Sequence, residues 1–260
     1  MRRSKSGFRP TKRFSDKARF YHIYRPRYPI KVLKLLKAEI GLKPSWIIAD
    51  LGSGTGILSK VFLKNGNTVF CVEPNNEMRK IAESNLAGYG EQFKNINGTA
   101  ESTTLKNRSV NLITAGQAFH WFEVEPAKDE FKRILEPPGY VFLAWNSRDQ
   151  NSSLFMREIE ELIIRFGTDY KEVARTSGED DPVSILFSPN SYKKVTLPTH
   201  QIFDYLGLEG RIRTVSYLPS EPHPRFSDLI QELKSIFKRN QIDGKVKFEY
   251  KTELYLGQLF

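Results

Sequence analysis

Seven residues, Asp50-Leu51-Gly52-Ser53-Gly54-Thr55-Gly56, set glycine at every second position directly after the apolar run Trp46-Ile47-Ile48-Ala49. Glycine lacks a Cβ and tolerates positive φ, so such a turn brings backbone N–H groups close to a ligand. A helix expected to begin near Gly56 adds unpaired N–H groups of its own. The spacing narrows the ligand. Counted from Gly52, Ile57 stands where a G-x-G-x-x-G dinucleotide fingerprint needs its third glycine, and no window fits the phosphate loop G-x-x-x-x-G-K-[ST]. A second apolar run, Thr68-Val69-Phe70-Cys71-Val72, ends in Glu73. A carboxylate there has two accepting oxygens and no donor, which suits a pair of ribose hydroxyls.

A further group of reactive and aromatic side chains, Gly116-Gln117-Ala118-Phe119-His120-Trp121-Phe122, follows a strand expected over Val110–Ala115. Ligands of open α/β sheets bind beyond the carboxyl ends of the strands, so this segment should face the reacting group. His120 is the histidine placed for proton chemistry: with an ordinary pKa of about 6.5 it can take a proton from a hydroxyl. For an acceptor that is already ionised it would orient the acceptor instead, and it can equally be a ring packed beside Trp121.

The elements that must position these residues alternate. Val32, Leu33, Leu36 and Ile40 recur at helical intervals before Gly41 and Pro44 stop the helix. Strand 46–51, a helix from Ile57 to Lys64, strand 68–73 and a helix capped by Asn75 or Asn76, with Met78, Ile81 and Ala82 inward, follow in turn. A short strand over Phe93–Ile96, the strand before Gly116, an amphipathic helix over Glu125–Leu135, a Pro137-Pro138-Gly139 turn and strand Tyr140–Trp145 complete a doubly wound α/β pattern. Beyond Asn146 come a helix over 153–166, a polar stretch over 168–192, strand His200–Phe203, helices at Leu208–Arg213 and Phe226–Phe237, and a closing strand over Val246–Leu254, placed antiparallel to the rest. Arg211 and Arg213 are expected on a solvated helix face, with reading of an anion as the alternative.

Of the 260 residues, 39% are hydrophobic and 27% charged, as in an ordinary globular chain, and the single cysteine, Cys71, precludes an internal disulfide and reads as core. The N-terminus is basic but leads into no apolar signal segment, and no run approaches the roughly 20 apolar residues of a membrane span, so the expected location is cytoplasmic. The net charge of +10 is local: residues 1–47 carry 14 Lys and Arg against 2 acids. A basic arm can contact nucleic acid or attract anionic substrates, but with no aromatic interleaving a solvated tail over 1–13 is the expectation. No metal site is read from the sequence, and the oligomeric state is left open.

The Asp50–Gly56 loop with Glu73-Pro74 beyond it resembles the class I S-adenosylmethionine-dependent methyltransferases. Gly98-Thr99-Ala100-Glu101 and Gln117–Phe122 look like the branch that includes the trans-aconitate methyltransferase-like proteins. The resemblance covers about residues 14 to 145 well and the tail weakly. It implies a Rossmann-like, mostly parallel seven-stranded sheet with one antiparallel strand, and S-adenosyl-L-methionine as cofactor. Gly52, Gly54 and Gly56 would hold its methionine part, Glu73 its ribose, and Ala100 with Glu101 its adenine, and Asp50, Ser53, Thr55, Pro74, Gln117 and Ala118 would also line the cofactor. The segment Tyr21-x-x-x-Arg25-Pro26-x-Tyr28-Pro29 fits a family motif that closes over the cofactor; Tyr21 and Arg25 would touch it, Arg25 through a bidentate contact to its carboxylate. Tyr28, His120 and Trp121 would meet the acceptor. The implied layout is a core over 14–150 including an N-terminal lid, a helical lid insert over 151–195 offering Phe155, Phe166 and Tyr170, and a return to the same sheet over 196–260. The expected reaction is methyl transfer to a small carboxylate or hydroxyl acceptor. RNA methylation through the basic arm, or a non-catalytic cofactor-binding regulator, are the alternatives, and nucleobase amino- and cytosine-C5 motifs are missing from the segment after Gly116.

Overall fold

The run Ile47-Ile48-Ala49-Asp50-Leu51 forms β1 (Ile47–Leu51), buried from its second residue onward on both faces, as a central parallel strand requires. The computed structural model describes residues 22–167 and 181–260. Around β1 lie β2 (Thr68–Val72), β3 (Phe93–Ile96), β4 (Val110–Gly116), β5 (Leu135–Arg148), β6 (Tyr192–Phe203) and β7 (Val246–Gln258), in the sheet order β3-β2-β1-β4-β5-β7-β6. The first five pair in parallel, and β7 runs antiparallel to both β5 and β6. The seven-stranded sheet with one reversed strand is as expected. Strand order reverses between β1 and β4, which opens a crevice beyond their carboxyl ends.

Helices α1 (Lys31–Ile40), α2 (Ser59–Lys64) and α3 (Asn76–Leu86) precede β3; α4 (Val124–Ile134) precedes β5. The alternation of side chains along each strand divides the core. Ile48, Val69, Cys71, Leu112, Phe142 and Ala144 pack with Val32 and Leu36 of α1 and Phe62 of α2 on one face. Ala49, Leu51, Val72, Ile113, Val141 and Leu143 pack with Phe131 and Ile134 of α4 on the other.

A separate apolar cluster forms at the far end of β7, under α5 (Leu154–Phe166), α7 (Tyr205–Arg213) and α8 (Phe226–Asn240). Here the structure corrects several expectations. Phe155 and Phe166 are buried in this cluster and are core residues of α5, because its apolar stripe meets α8 and β7; they do not form a lid. Arg211 is also buried: its Nε donates to the Tyr250 hydroxyl at 2.9 Å, its Nη1 to Thr214 Oγ1 at 3.1 Å, and its guanidinium lies over Phe248. Arg213 is half-exposed, paired with Glu209.

Boundaries moved where pattern is weak. β6 begins at Tyr192 instead of His200, since an edge strand with a half-wet face shows little apolar alternation. α6 (Pro182–Phe187) falls in the stretch read as polar loop; Asp181 caps it by accepting from Val183 N–H. β5 starts at Leu135, with Glu136–Gly139 bulging between the Val110–Leu135 and Leu112–Tyr140 pairs. α2 begins at Ser59, because Gly56 N–H is drawn back to Ser53 O in a turn. Tyr21, Tyr170 and the 1–13 tail lie outside the described residues. Among the described residues no helix is long and apolar enough to cross a membrane.

Phe248 makes the second core measurable. It is fully buried, meets Phe155 and Phe203 edge-on and stacks on Tyr250. Phe248→Ala should cost about 3–5 kcal/mol in urea unfolding. A loss under about 1 kcal/mol would show that this cluster carries little of the fold.

Candidate active site

The glycine turn leaves β1 at Gly52, which adopts φ +62°; a Cβ there would stand 2.7 Å from Ala118 Cβ, so only glycine lets the loops after β1 and β4 close up. Gly54, at φ +56°, has open space where its Cβ would be and lines the cavity. Gly56 instead packs on Leu86 of α3, and Thr55 is buried beneath the loop; neither lines the cavity.

Glu73, just beyond β2, holds this loop. Its Oε2 accepts from Gly54 N–H at 3.0 Å and its Oε1 from Asn75 N–H at 2.9 Å. Burial raises its pKa, and the two N–H donors work against that rise. Asn75 in turn caps α3, accepting from Glu77 and Met78 N–H. Asp50 is fully buried and accepts from the Ser59 hydroxyl and from Thr114 Oγ1 at 2.9 Å, so its carboxylate ties β1 to α2 and β4. Desolvation pushes its pKa up to about 6 despite those two donors.

The cavity these residues line measures about 290 Å³. At one end stand Glu73, Pro74, Asn75, Met78, Thr99, Ala100 and Glu101; Glu101 uses one oxygen to accept from Glu123 N–H at 3.0 Å. At the other stand Arg25, Pro26, Tyr28, Gln117, Ala118, Trp121, Phe122 and Asn146. Gln117 sits at φ +56°, a left-handed conformation costing on the order of 1–3 kcal/mol in a non-glycine residue. It is pinned to β5 twice, by its N–H to Ala144 O and its Nε2 to Asn146 O, both at 2.9 Å.

Residues 22–28 strap this end. Arg25 Nη2 donates to Thr214 O at 2.9 Å, Gln201 Nε2 donates to Tyr24 O at 3.3 Å, and the Tyr28 hydroxyl packs against Gly116. His22 Nδ1 lies 2.9 Å from Asn85 Nδ2 and 3.3 Å from Thr55 Oγ1, which joins the strap to the glycine loop.

The structure therefore brings together Arg25, Tyr28, Asp50, Gly52, Ser53, Gly54, Glu73, Pro74, Ala100, Glu101, Gln117, Ala118 and Trp121 around one cavity. His120 stands outside that lining. Its ring is tilted against Trp121, its residue reaches solvent, and its Nδ1 accepts from Trp145 Nε1 at 3.4 Å. Burial of the ring among its neighbours, followed by the Arg25 charge, lowers its pKa. Sequence reasoning missed Met78 and Asn146 as lining residues, and named Asn75 only as a cap; Phe122, within the segment expected to face the reacting group, does line the cavity. The rule that parallel strands present their carboxyl ends would have found Asn146, near the end of β5.

The cavity suits a ligand with an amino-acid part, a ribose and a purine. Ser53 Oγ is buried beside it with no hydrogen-bond partner, Gly54 leaves room for close approach, and the Glu73 oxygens each keep accepting capacity beyond one N–H. A doubly wound sheet with this glycine cradle and an acid beyond β2 has the class I methyltransferase fold, and the cofactor is S-adenosyl-L-methionine. Comparisons agree: residues 49–143 match the methyltransferase domain family. The chain is similar to an uncharacterized methyltransferase of Schizosaccharomyces pombe, 25% identical over 242 residues, 92% of this chain and 93% of that protein. It is 33% identical over 147 residues to an uncharacterized methyltransferase of Mycobacterium tuberculosis, covering 56% of this chain and 57% of the other. In fold it resembles a protein described as a type II methyltransferase from Anaeromyxobacter dehalogenans, with TM-score 0.61 at 16% identity over 91% of this chain and 99% of that one. The enzyme is an S-adenosylmethionine-dependent methyltransferase.

Two outcomes follow from the cradle. Glu73→Ala removes the acceptor of two backbone N–H groups and the expected acceptor of the ribose, at roughly 1.5–3 kcal/mol for a charged hydrogen bond, so calorimetry should find S-adenosylmethionine bound about 10- to 100-fold more weakly. Glu73→Gln keeps one accepting oxygen and should fall between; equal affinity in all three proteins would sink the assignment.

For Asp50 the sign is set by its raised pKa. The native state holds the proton more tightly than the unfolded chain, where aspartate titrates at about 3.9. The contribution is fully present below about pH 4 and is lost as pH rises through about 6. Relative to Asp50→Asn, the wild type should gain on the order of 1 kcal/mol of unfolding free energy between pH 7.5 and pH 5. A pH-independent difference would contradict this.

Proposed function

We propose that the enzyme transfers a methyl group to an oxygen of a small carboxylate. The observation that carries this reading is the division of charge along the cavity. Two of its carboxylates, Glu73 and Glu101, follow β2 and β3 at one side of the sheet, and Asp50, on the central β1, already accepts from Ser59 and Thr114, whereas the other side presents the Arg25 guanidinium, the Tyr28 phenol and the amides of Gln117 and Asn146. A guanidinium with neutral donors favours an anionic oxygen acceptor, and a carboxylate already carries the nucleophilic lone pair. The likeness of Gln117–Phe122 to the trans-aconitate methyltransferase-like branch supports the same class of acceptor.

When bound, S-adenosylmethionine supplies an electrophilic methyl group. The protein's own share is alignment and exclusion of water. Gly52, Ser53 and Gly54 hold the methionine end, Glu73 the ribose, and Ala100 with Glu101 the adenine. Arg25 is shared in this reading between the cofactor's carboxylate and the acceptor's. Tyr28 and Trp121 wall the acceptor against solvent, and Gln117, fixed in its left-handed turn, keeps the loop at one distance from the transferred group. No general base is required, which fits a histidine standing outside the cavity lining. A hydroxyl acceptor is the alternative, and it would bring His120 in as base.

The two are separated by turning over labelled S-adenosylmethionine with a panel of carboxylic acids and matched alcohols. Alkali should release the label as methanol from a methyl ester; an alkali-stable product would overturn the carboxylate reading.

In the same assay His120→Ala should keep kcat within a few-fold. Because its lowered pKa, about 4, leaves the imidazole neutral at pH 7, the rate should show no limb at pH ~6–7. A loss of about 10²–10⁴-fold, with an acid limb in the native enzyme that disappears in the variant, would make His120 the base.

A further inference from the structure

Thr252 occupies an anomalous place. Along β7 the inward row reads Val246, Phe248, Tyr250, Thr252, Leu254, and the threonine hydroxyl is as deeply buried as its apolar neighbours. A buried hydroxyl costs stability unless it is bonded, and valine would fill the same space. Its bonds lead toward the cavity: Thr252 Oγ1 donates to Asn146 Oδ1 at 2.6 Å, and Thr199 Oγ1 lies 3.1 Å away on its other side. Asn146 and Thr252 are direct partners in the antiparallel β5–β7 pairing, so the two side chains share one sheet face.

The orientation of the Asn146 amide is fixed by chemistry. Its other end approaches Pro26 O at 3.5 Å, and a carbonyl can only accept, so that end is the nitrogen and the Thr252 end is the oxygen. The Pro26 contact is long, and an amide nitrogen carries two N–H groups. Asn146 lines the acceptor end of the cavity beside Arg25, Tyr28 and Gln117, while its own carbonyl anchors Gln117.

We infer that Asn146 is the specificity-determining residue of the acceptor subsite, its Nδ2 donating to an oxygen of the acceptor carboxylate, and that Thr252 is a positioning residue that holds the amide nitrogen toward the cavity. This rests on the carboxylate reading of the acceptor. Thr252 touches no ligand; without its hydroxyl only the long Pro26 contact holds the amide, and the nitrogen is less firmly presented to the incoming anion. The threonine row Thr199–Thr252–Asn146 thus carries the choice of acceptor from the sheet interior to the cavity wall.

The test is calorimetric titration of the protein saturated with S-adenosylhomocysteine, using acetate, benzoate, succinate and citrate as carboxylate probes, and following the tightest. Asn146→Ala should weaken that probe at least tenfold and Asn146→Asp further, since a second anion replaces the donor. Thr252→Val should weaken it about three- to tenfold, and Thr252→Ser, which restores the hydroxyl, should recover it. Affinity for S-adenosylhomocysteine, titrated separately, should stay within about twofold in all four, which also shows that each variant is folded. Probe binding unchanged in Asn146→Ala would overturn the inference while leaving the carboxylate reading in place. A full effect of Asn146→Ala with none of Thr252→Val would remove Thr252 from it. If none of the four probes binds the native protein, the carboxylate reading fails and this inference falls with it.

Discussion

One carboxylate, Glu73, holds the glycine-loop end of the cavity together. It is the point at which β2, the glycine loop of β1 and the N-terminus of α3 meet, because its two oxygens take one backbone N–H from Gly54 and one from Asn75. The arrangement has a cost, since the group is nearly buried and its pKa is raised by desolvation. What offsets that cost is two charge-assisted hydrogen bonds in a site walled from water. The loop conformation follows: Gly54 can present open space to the cavity only while its N–H is held, and Asn75 can cap α3 only while its own backbone is fixed. Asp50 does the same service on the other side of the loop, bonding β4 through Thr114 and α2 through Ser59.

The acceptor end is built on another principle. Among the described residues no carboxylate organises it as Glu73 does; the strap, the turn after β4 and β5 and β7 are joined by amides, hydroxyls and one guanidinium. Gln117 is held against β5, Asn146 bridges toward Pro26 and Thr252, and Arg25 reaches across to Thr214. Thr214 also receives Arg211, whose burial under Tyr250 and over Phe248 ties the strap to the second core. The acceptor end is thus sensitive to packing of the α5–α7–α8 cluster, although none of that cluster's aromatic residues lines the cavity.

The cofactor half was legible in the sequence because its constraints are local. Alternating glycines at positive φ and an acid just after the second strand are read at fixed spacing, and the Asn75 cap sits where a helix must start. β1 and β2 were placed to within a residue, since buried parallel strands are nearly continuous apolar runs; β3, Phe93-Lys94-Asn95-Ile96 and only half-buried, was read as a weak, short strand. The acceptor half was less legible for a physical reason: its contacts span the chain, Asn146 to Thr252 and Arg25 to Thr214, and no periodicity records them. Phe155 and Phe166 looked like a lid because an amphipathic helix shows which residues it hides, not what hides them. Arg211 was expected on a wet face because only the tertiary fold supplies the phenol and hydroxyl that let a guanidinium be buried. β6 was half missed because an edge strand that opens with two adjacent lysines, Lys193 and Lys194, and leaves alternate residues exposed carries a weak apolar signal.

The central claim is that the cradle is preformed, set by Glu73 before any cofactor arrives. Hydrogen–deuterium exchange of the Gly54 and Asn75 amides, measured with and without S-adenosylhomocysteine, tests it directly. Both amides should already exchange slowly in the free protein and slow little further on binding. If they exchange at open-chain rates in the free protein and become protected only with the ligand, the loop is ordered by the cofactor and Glu73 does not hold it.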